Sequence, residues 1–186
     1  MTVPLDVAPA IVALGLGANL GDRLAALQRG IDVVCADPAV EPIAVSAVYE
    51  TDPVGGPEQP EYLNAVLLIS TTLVPIEVLA LAGIAEQELQ RVRDVRWGAR
   101  TLDVDVLTYG EVVSDDPVLT LPHPRAAQRA FVLVPLCDVD PELTLPGGTA
   151  TAAELLAQCP AENVAGVRQR SDFALVIVGP MTGSPE

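Results

Sequence analysis

The chain has 186 residues, half of them hydrophobic but only 3% aromatic, and 25 acidic against 10 basic side chains give it a formal net charge of −15. That length suits one domain with a core of its own, built from Val, Leu, Ile and Ala rather than from rings. An isoelectric point near 4.2 argues against non-specific binding to nucleic acid or anionic membranes, and the odd set Cys35, Cys137 and Cys159, without a C-x-x-C, fits a reducing compartment rather than a disulfide framework or a zinc site.

Residues 1–9 read as a flexible leader without the basic start of a signal peptide. No apolar run reaches the roughly 18 residues of a membrane span. The expectation is a cytoplasmic, monomeric protein with no nucleic-acid or membrane partner, its single catalytic domain running from 10 to 178 and a disordered tail from 179 to 186. Ile11 to Leu16 is a short apolar strand. After it, Gly15, Gly17 and Gly21 fall one residue off the G-x-G-x-x-G dinucleotide fingerprint. Without the repeated β-α-β alternation of a doubly wound sheet, this run reads as a tight strand-to-helix turn. Asp22 is a natural N-cap, and Leu24, Leu27, Ile31 and Val34 recur at helical spacing until Asp37-Pro38. Ile43 to Thr51 is a second strand ending in the turn-rich run 52–57, and Leu63 to Thr71 is a third. Pro75 opens a second helix with Ile76, Leu79, Gly83 and Leu89 on or near one face.

The segment from Arg91 to Gly110 concentrates the chemistry. Its first ten residues pack Arg91, Arg93, Arg96 and Arg100 around Trp97, the only tryptophan. All ten basic residues are arginine, and the six between 91 and 129 are balanced there by six acids, so the window is neutral in an otherwise acidic chain. Positive charge is being concentrated, and the guanidinium fork matches phosphate oxygens. Then Leu102, Val104 and Val106 alternate with Asp103 and Asp105, the period of a half-buried strand. Both carboxylates therefore share one face, their Cα atoms roughly 7 Å apart. A solvated strand would present the same alternation. Beside four arginines, however, the pair suits a hard divalent cation such as Mg²⁺, which is often held by one or two carboxylates plus substrate phosphates.

Together the elements read β-α-β-β-α-β, an α+β ferredoxin-like antiparallel sheet with helices packed on it. Beyond Tyr109, His123-Pro-Arg125 opens a helical segment, Phe131 to Leu136 is apolar, 151–158 is a short helix and Phe173 to Val178 one more strand. These are C-terminal additions to the six-element pattern.

Four stretches resemble the 6-hydroxymethyl-7,8-dihydropterin pyrophosphokinase family of folate synthesis: GLGANLGDR at 15–23, YETDPVGGPEQPEYLNAV at 49–66, RVRDVRWGARTLDVDVLTYG at 91–110 and LTLPHPRAAQRAFVLVPL at 119–136. The resemblance implies a ferredoxin-like fold and Mg²⁺-dependent transfer of the β,γ-diphosphate of ATP to the pterin hydroxymethyl group, releasing AMP. It makes Asp103 and Asp105 the ligands of two Mg²⁺ ions, and Arg91 and Arg100 catalytic partners of the transferring phosphates. Glu86, Arg93, Arg96, Trp97, Thr120, His123 and Arg129 match positions that contact ATP or close over it. Tyr62 and Phe131 match the aromatics that sandwich the pterin, with Thr51, Asp52, Val54 and Asn64 along its edge. Asp52 stands where that family often has an apolar residue or Pro, and the chain after about Val164 has no counterpart in the resemblance. Two other readings of the residues are another Mg²⁺-dependent phosphohydrolase or nucleotidyltransferase, and a non-catalytic ligand-binding module whose Asp strand is merely solvated.

Overall fold

The computed structural model describes residues 8–53, 59–89 and 101–179. The leader at 1–7, the tail at 180–186, and the expectations placed on Val54, Arg91, Arg93, Arg96, Trp97 and Arg100 lie outside them.

The first strand, β1 (Ala10–Ala18), is the centre of an antiparallel sheet. Along one edge it pairs with β4 (Tyr62–Thr71), from Ala10 opposite Thr71 to Ala18 opposite Leu63. Along the other it pairs with β5 (Asp103–Tyr109). The outer edge of β4 carries β2 (Val40–Val45) and then β3 (Tyr49–Thr51). The class is α+β.

Helix α1 (Arg23–Cys35) starts where Asp22 accepts a hydrogen bond from the Ala25 N–H, at 3.0 Å. Helix α2 (Pro75–Glu88) starts at Pro75, with the Glu77 side chain reaching back to the Val74 N–H. Both helices cover the same sheet face, where Leu14, Leu16, Leu67, Ile69, Val104 and Val106 form the larger core with Leu27, Ile31, Val78 and Ala82. The expected face of α2 is corrected. Val78, Leu81, Ala82 and Ala85 point inward, while Ile76 is exposed and Leu79 only partly buried. The helix is apolar nearly all round, so its own periodicity could not select a face.

The opposite sheet face has a second, smaller core. Ala13, Val66, Leu68 and Leu107 pack there against Leu133 and Leu136 of α3 (Ala130–Val139) and Ala152 of α4 (Ala152–Ala157). The short hairpin β6 (Ser114–Asp115) and β7 (Thr120–Leu121) precedes α3, and α5 (Ala161–Ala165) leads into the short edge strand β8 (Val167–Gln169) on β3.

Two strand expectations are corrected. The single strand over 43–51 is interrupted, because one more residue lies between Val45 and Tyr49 than between their partners Leu67 and Asn64. Ser46 occupies the break: its hydroxyl accepts from the Val66 N–H at 2.9 Å, and Asp138 of α3 accepts from the Ala47 N–H and the Tyr49 hydroxyl. This is a β-bulge, with the ladder resumed one residue later. The strand expected at 173–178 is an extended segment outside the sheet. Phe173, Leu175 and Ile177 do alternate onto the larger core, but the neighbour is α1, whose backbone is already hydrogen-bonded within the helix. The Gln28 amide substitutes for a ladder, donating to the Val176 carbonyl at 2.8 Å and accepting from its N–H at 2.9 Å.

Gly30 lets α1 come close to the sheet: a Cβ there would stand 2.8 Å from Leu102 Cδ2, just before β5, and 3.3 Å from Leu16 Cδ2. Leu102 is fully buried immediately before Asp103. Gly30→Ala gains about 0.5–1 kcal/mol of helix propensity but overpacks a filled core at a typical cost of about 1–3 kcal/mol. The expected outcome is a net loss of about 1–2 kcal/mol in denaturant unfolding; a more stable variant would show that Leu102 can move aside freely.

Candidate active site

Strand alternation sends Val104 and Val106 into the larger core and Asp103 and Asp105 to the other face, both half-buried. Cross-strand pairing continues this face across the sheet. Asp103 lies opposite Gly17 and Asp105 opposite Gly15; Gly17 in turn lies opposite Asn64, and Asn64 opposite Tyr49. The glycines therefore do not form the turn expected of them. They are strand residues between the acids and Asn64, and the positive backbone angle of the turn belongs to Gly21, at φ 63°. A Cβ at Gly17 would stand 3.3 Å from Asn64 Oδ1 and 3.9 Å from Tyr62 Cδ1, while one at Gly15 would press on Leu107 at 3.3 Å. The missing side chains leave a shallow trough between the carboxylates on one side and Asn64 with Tyr62 on the other. A G-x-G continuing an apolar strand at period two was the signal for this in the sequence.

At the far side of the trough, Asn64 donates to Thr51 Oγ1 at 2.8 Å, with both residues buried. That bond fixes the amide orientation, so the carbonyl oxygen faces Gly17. Tyr62 donates from its hydroxyl to Gln59 Oε1 at 3.1 Å, and buried Asn19 holds the same stretch by donating to Gln59 Oε1 and to the Pro60 carbonyl. Asn19 thus ties the turn after β1 to the chain entering β4, a role not read from its sequence. Asp52 is exposed and pairs with Arg168 at 3.4 Å.

The near side is assembled from the segment after the hairpin. The His123 N–H donates to the Leu107 carbonyl at 2.8 Å, hooking this segment onto β5. Nδ1 of His123 accepts from the Arg125 N–H at 3.2 Å, so the neutral ring carries its proton on Nε2. Phe131, the second residue of α3, packs at the border of the smaller core and so on the same face as the acids, with the Arg129 guanidinium 5.3 Å from its ring centroid. Thr120 is turned into the hairpin, donating to the Asp116 carbonyl at 3.1 Å. Glu86 is buried at the outer edge of β5, where it accepts from the Val104 N–H at 3.0 Å. It braces the strand between the two aspartates. Among the described residues the trough thus gathers Asp103, Asp105, Asn64, Thr51, Tyr62, Phe131, His123 and Arg129. They form no cluster of three or more His, Cys, Asp or Glu that could hold a metal without help.

Burial is the largest influence on His123 and pushes its pKa below the ordinary value; Asp105 opposes the shift, and Arg129 and Arg125 add to it. His123 is the only histidine, so its proton resonances are unambiguous in an NMR titration. Its midpoint should lie below 6.5, and Asp105→Asn, which removes the one carboxylate favouring the imidazolium, should move it lower still. An unchanged midpoint in that variant would separate the two side chains.

Residues 13–141 match the family model described as 7,8-dihydro-6-hydroxymethylpterin-pyrophosphokinase (HPPK). Among similar proteins, the 2-amino-4-hydroxy-6-hydroxymethyldihydropteridine pyrophosphokinase of Pseudomonas aeruginosa is 42% identical over 153 residues, covering 82% of this chain and 94% of that one. The protein of the same name from Mycobacterium bovis is 42% identical over 94% of this chain and 98% of its own. A crystal structure of Plasmodium falciparum HPPK-DHPS with pterin and p-hydroxybenzoate superposes with a TM-score of 0.63 over 84% of this chain at 14% identity. At that identity the likeness speaks for the fold alone, and this chain spans 45% of the solved one. With a family match that includes both aspartates, Asn64, Tyr62, His123 and Phe131, the chain belongs to the 7,8-dihydro-6-hydroxymethylpterin-pyrophosphokinase (HPPK) family.

Proposed function

We propose that the trough between β5 and β4 is where this chain transfers the β,γ-diphosphate of ATP to the hydroxymethyl oxygen of the dihydropterin, a step of folate biosynthesis, with AMP leaving. The observation that carries the reading is the row Asp103–Gly17–Asn64. It sets a pair of acids for the phosphate end and a buried, oriented amide for the heterocycle on one face, with nothing but glycine between them. We read the sheet order β5-β1-β4-β3 as the ferredoxin-like arrangement, residues 10–178 as one catalytic domain, and the elements after Tyr109 as additions to it.

In this reading Tyr62 and Phe131 stack on the two faces of the pterin, a flat ring that gains most from offset aromatic contact. Asn64 reads the ring edge together with Thr51, Asp52 and the Val54 backbone. The pterin hydroxyl attacks the β-phosphorus as the bond from that phosphorus to the AMP oxygen breaks. Such a transfer needs little covalent help, so positioning and charge stabilisation carry the catalysis. His123, whose imidazolium Asp105 favours and Arg129 disfavours, and Arg129 serve the triphosphate. The reading also assigns Arg91, Arg93, Arg96, Trp97 and Arg100 to ATP, with Arg91 and Arg100 acting on the transferring phosphates. Thr120 and Glu86 act at one remove, through the hairpin and the edge of β5.

Asp103 and Asp105 fit a hard divalent cation. They offer only oxygen donors from one strand face, and among the described residues no group of three or more His, Cys, Asp or Glu stands ready for a metal, so substrate phosphates would complete the shell, as Mg²⁺ prefers. Mg²⁺ held there would neutralise charge on the phosphates during transfer.

Protein, ATP, Mg²⁺ and the hydroxymethyl-dihydropterin should together yield AMP and pterin diphosphate. ADP or free pyrophosphate would instead indicate a different phosphotransfer. Asp103→Ala and Asp105→Ala should each lower kcat on the order of 10²–10³-fold while the unfolding transition stays near that of the parent, since half-exposed acids contribute little to packing. A readout free of turnover is Mn²⁺ with a non-hydrolysable ATP analogue. It should broaden the His123 resonances in the parent and lose that effect in both variants; broadening that survives would place the cation elsewhere.

A further inference from the structure

The family match ends at residue 141, yet the chain continues through β8, which adds an edge strand to β3 beside the trough. Thr51 lies opposite Val167, Glu50 opposite Arg168 and Tyr49 opposite Gln169. Alternation divides these residues between the two faces. Tyr49, Thr51, Tyr62 and Asn64 face the trough. Glu50 lies on the other face with Leu63, its β4 partner in the larger core, and Arg168 opposite it shares that face. Arg168 uses its position to join two separate strand ends: its Nη2 lies 2.7 Å from Glu61 Oε1 and 3.4 Å from Asp52 Oδ1. Asp52 is the residue after the last of β3, and Glu61 the residue before the first of β4.

From these contacts we infer that Arg168 is a positioning residue for pterin binding, a clamp on the back of the sheet that sets the spacing of Thr51 and Tyr62 on the front. The inference rests on the pterin site assigned above. Arg168 touches neither substrate. Its leverage is that each residue it holds is the direct chain neighbour of a trough residue, and Thr51 also anchors the Asn64 amide.

A clamp needs a fixed post, and β8 is fixed independently of what it holds. Arg170, two residues on, pairs with Glu50 at 3.1 Å and Asp172 at 2.7 Å and lies 4.2 Å over the Phe173 ring. Its own N–H donates to the Val48 carbonyl. Beyond it, the chain is held to α1 by Gln28 and to the larger core by Phe173, Leu175 and Ile177. On the other side of Glu61, Arg23 donates to its carbonyl at 2.8 Å and pairs with Glu50 at 2.9 Å. Without Arg168, the carboxylates of Asp52 and Glu61 would face each other across the two strand ends with their shared cation gone, and the ends would spread.

The pair contacts are solvent-accessible, with side-chain exposures of 42% for Arg168 and 47% for Glu61, so the effect is modest. Arg168→Ala should raise the KM for the dihydropterin roughly two- to fivefold while kcat and the KM for ATP stay within twofold, about the resolution of the assay. Because the pterin is uncharged, its KM reports geometry rather than lost attraction to phosphate. Arg168→Lys should recover part of the affinity by reaching one carboxylate, and Glu61→Gln should reproduce the defect, with no further loss when combined with Arg168→Ala. A pterin KM unchanged in both Arg168→Ala and Glu61→Gln overturns the inference, and so does an equal rise in both KM values. Should Arg168→Ala fail to fold, Arg168→Lys and Glu61→Gln decide the matter alone. Amide hydrogen exchange separates this idea from the reaction itself. Faster exchange at residues 51–52 and 61–62 in Arg168→Ala supports the clamp even if the parent enzyme made no AMP, which would sink the assigned reaction instead. Unaltered exchange there overturns the clamp.

Discussion

The structure depends on a single geometric constraint, the period-two alternation of β1 between two hydrogen-bonded neighbours. Because β1 is paired with β4 on one edge and β5 on the other, the face assigned to each of its residues propagates sideways to both partners. Leu14 and Leu16 go to the larger core and take Val104, Val106, Leu63 and Leu67 with them. Gly15 and Gly17 go to the opposite face and take Asp103, Asp105 and Asn64. A slip of one residue in the β1–β5 pairing would bury two carboxylates among aliphatic side chains, at a cost of several kcal/mol per ion, and one in the β1–β4 pairing would turn Asn64 into the larger core. The hydrophobic core thereby enforces the register that assembles the polar trough.

The trough is polar at a place where a sheet face would ordinarily be covered. Farther along the same face, Leu107, Val66 and Leu68 are covered by α3 and α4. At the trough the covering helix stops short, and α3 contributes only its beginning, Arg129 and Phe131. His123 there feels Asp105, Arg129 and Arg125 together, which agrees with the local balance of charge in a chain that is otherwise strongly acidic. A site for a polyanion on such a protein needs its positive charge concentrated, because the long-range field repels the ligand and only short-range contacts can reverse that.

Polar side chains do much of the joining between elements that are not hydrogen-bonded neighbours in the sheet. Asp138 of α3 holds the break between β2 and β3, Glu86 of α2 braces β5 at its outer edge, and Asn19 secures the entry to β4. Glu86 and Asn19 are buried and Asp138 is exposed, and each bonds a backbone group of a neighbouring segment; such bonds matter most where burial excludes water. The segment after residue 166 uses the same means: Gln28 serves Val176, and Arg168 and Arg170 serve the acids near β3.

Elements set by local chemistry were legible in the sequence. Asp22 and Pro75 marked helix starts, short apolar runs marked β1 and β4, alternation marked the Asp strand, and the placing of Asp103 and Asp105 on one face follows from strand geometry alone. The family could be read from four motifs, and among the described residues Asp103, Asp105, Asn64 and Tyr62 of those motifs share one sheet face. What could not be read depended on neighbours distant in the chain. The strand expected at 173–178 was not formed: Phe173, Leu175 and Ile177 turn to the larger core, but the fold set a helix and not a strand beside them. The apolar surface of α2 offered several faces, and packing on β5 and α1 selected one. Gly15 and Gly17 carry no side chain to report a role. Their function is the space they leave beside Asn64 and Leu107, residues more than forty positions away, and such space exists only once three strands are in register. Sequence thus determined the local conformations and the residue chemistry, while tertiary structure alone determined which of those residues share a face, because that depends on pairing between strands whose separation along the chain no local preference can encode.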